Sequence, residues 1–278
     1  MVVGRPQPGQ PIGMFDSGVG GLTVARAVID LLPHEDLIYF GDTARCPYGP
    51  RPLEEVRGFA LDIMDALVRE DVKLLVVACN AAASTALVEA QHRYDVRVLS
   101  VIDPGVRAAV AATRSGRIGV IGTEVTIASR SYDDAVSRQG ETVTLVSQAC
   151  PRFVEFVERG DTTSDELLRV ADEYLSPLRT AGVDTVIFGC THYPLLTGVI
   201  RYVLGDDVVL VSSAEVTASQ VYVQLKDAGL LNPSLRPGDH RFIASGEQGM
   251  LGDLAARLLG SAFTEVEYRP WLHEPAAP

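Results

Sequence analysis

The chain has 278 residues, 47% apolar and 22% charged, the balance of a soluble globular protein with room for two α/β domains of ordinary size. Its formal net charge of −12, with no basic run to offset it, argues against a nucleic-acid surface. No apolar run approaches the roughly 20 residues that span a bilayer, and Met1–Pro8 lacks the apolar core of a signal peptide.

The expected location is therefore the cytoplasm, where the four cysteines, Cys46, Cys79, Cys150 and Cys190, stay reduced. They show no C-x-x-C spacing and no paired histidines, so the sequence gives no sign of a metal site. A small anionic ligand remains compatible with the acidic balance, because a few N–H groups at helix ends outweigh distant surface charge. Met1–Pro8 and the proline-rich end, Pro275–Pro278, read as disordered tails.

Strand and helix patterns alternate almost throughout, which predicts parallel α/β sheets. Ile12–Phe15 reads as a strand, followed by Asp16-Ser17-Gly18-Val19-Gly20-Gly21 and a helix over about 22–32. Leu37–Phe40 is the next strand, and a loop over 43–51 carries Cys46-Pro47-Tyr48-Gly49-Pro50 before a helix to about Arg69. Leu74-Leu75-Val76-Val77-Ala78 is a continuous aliphatic run of strand length, delivering Cys79 to the mouth of the helix that Asn80-Ala81 begins. Arg97–Ile102 reads as a strand stopped by Asp103-Pro104-Gly105. A helix to about Thr113, a strand over 117–121 and one helix over 125–138 follow. A strand over 142–146 comes next, with helices over 153–159 and 164–181.

Thr185-Val186-Ile187-Phe188-Gly189-Cys190-Thr191-His192 then repeats the grammar of the Cys79 stretch: apolar run, small residue, cysteine, polar residue, helix. Val208–Val211 is a strand, 214–228 a helix, 240–244 the last inner strand, 246–259 a helix and 264–268 an edge strand. The expected fold is α/β: two pseudo-symmetric domains with mainly parallel sheets flanked by helices and an active site in the cleft between them. Residues 1–99 plus 213–278 form the outer domain, with 100–212 inserted.

Either cysteine alone reads as a small core hydrophobe. As a pair at the carboxyl ends of parallel strands, where open α/β sheets bind ligands, they read as chemistry. The field of a helix N-terminus is expected to lower the Cys79 pKa. Asp16 and His192 lie where each can relay a proton or orient a thiol, and both are also ordinary capping residues. Ser17-Gly18-Val19-Gly20-Gly21 makes an anion nest or a mere tight turn, without a nucleotide fingerprint. Asn80, Thr123 and Thr191 stand at strand-to-helix junctions as caps or ligand contacts.

A redox pair prefers closely spaced cysteines, and a cysteine hydrolase needs one nucleophile with its own base. Two thiols on opposite faces of one carbon suit inversion: one removes a proton as thiolate, the other returns a proton as thiol. Lys73 and Lys226 are the only lysines, and neither is placed as a pyridoxal phosphate anchor.

The motifs Ile12-Gly13-Met14-Phe15-Asp16-Ser17-Gly18-Val19-Gly20-Gly21-Leu22-Thr23, Tyr39-Phe40-Gly41-Asp42-Thr43-Ala44-Arg45, Pro47-Tyr48-Gly49, Ala78-Cys79-Asn80 and Gly189-Cys190-Thr191-His192-Tyr193-Pro194-Leu195-Leu196 resemble the glutamate racemase family. These enzymes need no pyridoxal cofactor and supply D-glutamate for bacterial peptidoglycan. The resemblance covers nearly the whole chain. It implies that Cys79, assisted by Asp16, exchanges the α-proton on the D-glutamate face, and Cys190, assisted by His192, on the L-glutamate face. Asp42 and Glu158 match positions with supporting roles. Asp16, Ser17, Tyr48, Gly49, Asn80, Ala81, Thr123, Thr191 and His192 are expected to line the substrate, glutamate, with no cofactor, metal, membrane or nucleic acid involved and with a homodimer as the assembly.

The chain departs from the family at Ala81, where a threonine or serine is usual, and at Cys46, which replaces an apolar residue and reads as structural. Cys150 reads as buried and uninvolved. An aspartate racemase is the nearest rival reading, and a non-catalytic amino-acid sensor the rival from another class.

Overall fold

The computed structural model describes residues 5–140 and 142–271. β1 (Ile12–Asp16) leads through a glycine turn to α1 (Leu22–Leu31), and β2 (Leu37–Gly41) leads through the 43–51 loop to α2 (Leu53–Val68). β3 (Leu74–Val77) precedes α3 (Asn80–Arg93), and β4 (Arg97–Ser100) precedes α4 (Ile102–Ala112). Then come β5 (Arg117–Gly122), α5 (Glu124–Ala128), α6 (Ser131–Ser137), β6 (Thr144–Ala149), α7 (Arg152–Glu158) and α8 (Asp165–Ala181). β7 (Thr185–Gly189) runs into a 3-10 turn at Tyr193–Leu196, α9 (Thr197–Leu204) and β8 (Val209–Val211). α10 (Ala214–Asp227), β9 (His240–Ala244), α11 (Gly249–Leu259) and β10 (Val266–Tyr268) complete the described chain.

All strand pairs are parallel, in two sheets ordered β10-β9-β2-β1-β3-β4 and β6-β5-β7-β8. The block β2-β1-β3-β4 of the first sheet has the same topology as the whole second sheet, strand for strand. Strand order reverses at β1 in one and at β5 in the other, and the crevice beside such a reversal, at the carboxyl strand ends, is where α/β sheets bind ligands. Cys79 follows β3 and Cys190 follows β7, the equivalent strands of the two sheets.

The central strands read as unbroken apolar runs because both faces are covered. In β1, Ile12 and Met14 pack with Leu22, Val28 and Val221 on one face, while Phe15 faces Val56, Met64 and Ala86 on the other. Each such side chain contributes about 1.5–3 kcal/mol by leaving water. In the second sheet, Val186 and Phe188 pack against Leu175 and Leu178 of α8 and Ile200 of α9.

Four expectations are corrected. Asp103-Pro104-Gly105 does not stop β4 but lies in the first turns of α4, where a proline loses no intrahelical hydrogen bond. The single helix over 125–138 is two, divided at Arg130, whose φ of 58° is left-handed. β6 is shifted to Thr144–Ala149 because its register follows β5, pairing Arg117 with Thr144 and Gly122 with Ala149. The N-terminal segment is not wholly a tail: Gln10 N–H bonds the Gln7 carbonyl at 3.1 Å, and the Lys73 ammonium donates to the carbonyl of Pro8. Met1–Gly4 and Pro275–Pro278 lie outside the described residues. No helix among the described residues is long and apolar enough to cross a membrane.

Candidate active site

Asp16 closes β1 with no exposure to solvent. Its Oδ1 accepts from the backbone N–H of Gly18 at 2.8 Å and from Ser17 Oγ at 3.4 Å, so the glycine turn wraps the chain's own carboxylate. The expected anion nest is thus filled from within. Oδ2 accepts from Thr191 Oγ1 at 3.1 Å, a bond between the two sheets' loops 175 residues apart. Gly20 makes that approach possible, since a Cβ there would lie 2.2 Å from Thr191 Oγ1 and 2.9 Å from His192 Nδ1.

Cys79 is the N-cap of α3, with φ −86° and ψ 123°, and Asn80 is the first helical residue. Its Sγ lies 3.5 Å from Ser17 Oγ. Cys190 does not open an α-helix directly. It is followed by the 3-10 turn, with His192 as N-cap and Pro194 in its first positions. His192 Nδ1 stands 3.8 Å from Cys190 Sγ, and Nε2 stands 3.8 Å from Glu158 Oε1.

Both thiols line one cavity of about 140 Å³, together with Ser17, Tyr48, Gly49, Asn80, Ala81, Thr123, Glu158, Thr191 and His192. None of its lining residues is Lys or Arg. Two buried side-chain nitrogens around it, Asn80 Nδ2 and His192 Nε2, have no hydrogen-bond partner among the described residues. The Asn80 amide is oriented from across the cleft: Tyr132 on α6 donates its hydroxyl to Asn80 Oδ1 at 2.6 Å. Of the first-turn N–H groups of α3, which are free of intrahelical bonds, that of Ala82 faces Cys79, and those of Asn80 and Ala81 add further donors.

Two expected residues stand back from the cavity wall. Asp16 lies behind Ser17 and Thr191, and Asp42 is fully buried beneath Tyr48, whose hydroxyl it accepts. Conversely, Cys46 is not merely structural. It lines the cavity, with its Sγ 3.9 Å from Glu158 Oε1. Thr126, bonded to Thr123 at 3.0 Å, and Val154 also reach the cavity and were not anticipated. Thr126 was legible as an i,i+3 partner of Thr123 on a helix face. Cys150 is buried away from the cavity, its carbonyl accepting from Tyr193 at 2.9 Å.

Burial decides the protonation of the thiols. Cys79 is pushed up to about 12, chiefly by loss of hydration and then by the Asp16 charge; Ser17 and the Ala82 N–H oppose this but do not outweigh it. Cys190 is likewise raised well above an ordinary thiol by burial, against a bond from the His192 backbone N–H. Burial also raises Asp16, partly offset by His192. The helix end therefore moderates the Cys79 pKa rather than lowering it below a free thiol.

With the cavity empty of substrate, iodoacetamide labelling of Cys79 should accelerate about tenfold per pH unit from 7 to 10 without levelling. Peptide mass mapping separates it from Cys46; a plateau near neutral pH would contradict this electrostatic account.

The model of the Asp/Glu/hydantoin racemase family matches residues 22–221, which span the whole second sheet and β2, β3 and β4 of the first. The chain belongs to the Asp/Glu/hydantoin racemase family. Among relatives of this racemase chain, the glutamate racemase of Parafrankia sp. (strain EAN1pec) is 57% identical over 263 residues, 94% of this chain and 95% of its own. The solved glutamate racemase isoform RacE1 from Bacillus anthracis superposes with a TM-score of 0.87 at 41% identity, covering 94% of this chain and 97% of that one. The Francisella tularensis glutamate racemase, solved in complex with D-glutamate, gives 0.88 at 31% identity, covering 94% and 98%. This racemase thus shares the architecture of its relatives over nearly its full described length.

Proposed function

We propose that the chain is a glutamate racemase that inverts Cα between Cys79 and Cys190. The observation that carries this reading is the presentation of two buried thiols into one cavity from equivalent strand ends of two sheets with the same topology. Family membership and the glutamate racemases among its relatives supply the substrate.

In the L-to-D direction Cys190, as thiolate, removes the α-proton, and Cys79, as thiol, delivers a proton to the opposite face. His192 takes the proton from Cys190 at the start of the turnover, and Asp16 orients Cys79 through Ser17. Glu158 supports the His192 imidazole. The roles of the two cysteines reverse for D-glutamate.

Neutral thiols in the empty site mean that the base is generated on binding. The substrate ammonium brings a positive charge beside the sulfurs, which favours a thiolate. The unpartnered Asn80 Nδ2 and the N–H groups of α3 receive a substrate carboxylate at a helix N-terminus. One well-placed donor to the developing carbanion lowers the barrier by roughly 3–4 kcal/mol. A cavity of about 140 Å³ has room for about five waters at about 30 Å³ each, the scale of a small-molecule substrate. Ala81 contributes its backbone N–H but no hydroxyl.

The reaction needs no cofactor or metal in this reading. Residues 1–99 plus 213–278 and residues 100–212 act as two domains closing over the amino acid, in a cytoplasmic homodimer. The product D-glutamate serves peptidoglycan synthesis.

Pure, reduced protein should drive the optical rotation of L-glutamate to zero, and aspartate much more slowly. Faster racemisation of aspartate would replace the substrate assignment, and inertness towards both would overturn the reading.

A further inference from the structure

The wall of the cavity formed by Tyr48 and Gly49 is tied to the far end of the chain. Asp42 is fully buried and accepts four side-chain donors: Ser245 Oγ at 2.6 Å, Arg45 Nε at 2.7 Å, Trp271 Nε1 at 2.8 Å and the Tyr48 hydroxyl. The Trp271 ring packs on Phe40 with centroids 5.3 Å apart, and the Arg45 guanidinium lies 3.9 Å from its centroid. That guanidinium is also 4.2 Å from the ring of Phe59, which in turn stands 5.6 Å from Tyr48. Arg45 is thereby held between two aromatic faces, an arrangement that favours a cation.

The segment bearing Trp271 is itself secured. Arg269 N–H bonds the carbonyl of Ala244 at 2.9 Å, and the Arg269 side chain pairs with Glu70 at 2.6 Å. At its other side the loop reaches the second sheet: Val125 N–H donates to the Gly49 carbonyl at 3.1 Å. A continuous set of contacts therefore runs from the C-terminal segment, through Asp42 and Arg45, to the loop that closes the cleft.

We propose that Trp271 is a positioning residue that latches the 43–51 loop, through Asp42 and Arg45, in the place where Tyr48 and Gly49 form the substrate-facing wall. The indole supplies two separable things. Its N–H fixes one oxygen of Asp42, leaving the other for Tyr48 and Arg45, and its face holds Arg45. Without the N–H, Asp42 Oδ1 keeps only Ser245, so the carboxylate that anchors the tyrosine is held by three donors instead of four. The chemistry at Cys79 and Cys190 touches neither group, so the consequence falls on substrate binding.

Trp271→Phe keeps an aromatic face and removes the N–H. Backbone hydrogen exchange of the 43–51 loop in this variant is expected to quicken about tenfold, with the sheet amides unchanged. The KM for glutamate is expected to rise about tenfold with kcat within twofold. The kinetic half rests on the racemase reading of the site, whereas the exchange half does not. A parent protein inert towards glutamate, with a loosened loop in Trp271→Phe, would therefore overturn the racemase reading and uphold the latch. An unchanged loop exchange rate would overturn the latch, as would a lowered thermal midpoint with KM unaltered, which would make Trp271 a packing residue alone.

Discussion

Cys79→Ser and Cys190→Ser are each expected to lower racemisation of glutamate in both directions by about 10²–10⁴-fold, the usual contribution of a positioned general acid or base. At 1.36 kcal/mol per decade this is roughly 3–5 kcal/mol of barrier. Each turnover consumes one thiolate and one thiol on opposite faces, so neither cysteine can be spared in either direction. The losses are therefore expected to be similar, and the double variant little worse than either single one, as for residues that act as a unit. What distinguishes the two is the face that survives. Cys79→Ser retains Cys190, so it should still exchange the α-proton of L-glutamate slowly, with retention; Cys190→Ser should do so with D-glutamate. Serine fills nearly the same space in these buried positions, so thermal midpoints should change little. A single variant that kept even a tenth of the parent activity would remove that cysteine from the reaction.

Lys73→Ala is expected to destabilise the protein by about 3–5 kcal/mol, a large part of the ~5–15 kcal/mol that holds a typical domain folded. Lys73 is buried at the end of β3 remote from Cys79, and its ammonium meets Glu35 at 2.5 Å and the Pro8 carbonyl. Glu35 also accepts the backbone N–H of Asn232 at 2.7 Å. The alanine variant leaves that carboxylate buried without its counter-charge, which costs more than the pair contributes when intact. Replacing both partners, as Lys73→Met with Glu35→Leu, should restore much of the loss, because two apolar side chains need no pairing. Urea denaturation reads both effects. Because the pair sits at the amino ends of the strands, the folded Lys73→Ala protein should keep the parent KM for glutamate.

The sequence carried the parts of this site that depend on local pattern. Parallel strands buried on both faces leave continuous aliphatic runs, and a cysteine ending each of two such runs needs no long-range contact to be noticed. Asp16 and His192 were visible for the same reason, each lying within three residues of a strand end. What was not visible depends on contacts between distant segments or on burial. Whether Cys79 is acidified by its helix or opposed by desolvation is decided by how tightly the two halves close over it, and burial wins. Cys46 belongs to the cavity because the 43–51 loop folds towards α7 and Glu158, which neither segment announces. Tyr132 reaches Asn80 across 52 positions, and Trp271 reaches Asp42 across 229. The expectation that Asp103-Pro104-Gly105 ends a strand failed for a simpler reason. The first turn of a helix tolerates proline as well as a loop does.

The central claim is that two thiols on opposite faces of Cα divide the proton transfer between them, and isotope incorporation in heavy water tests it most directly. At early times in a reaction begun from L-glutamate, each molecule of D-glutamate formed should carry deuterium at Cα, delivered by Cys79. The unreacted L-glutamate should at these early times still carry protium, because the proton that Cys190 has just removed returns to that face faster than the thiol exchanges with solvent. D-glutamate that retained the original protium would contradict the account, since it would mean that one base carries the same proton from one face to the other.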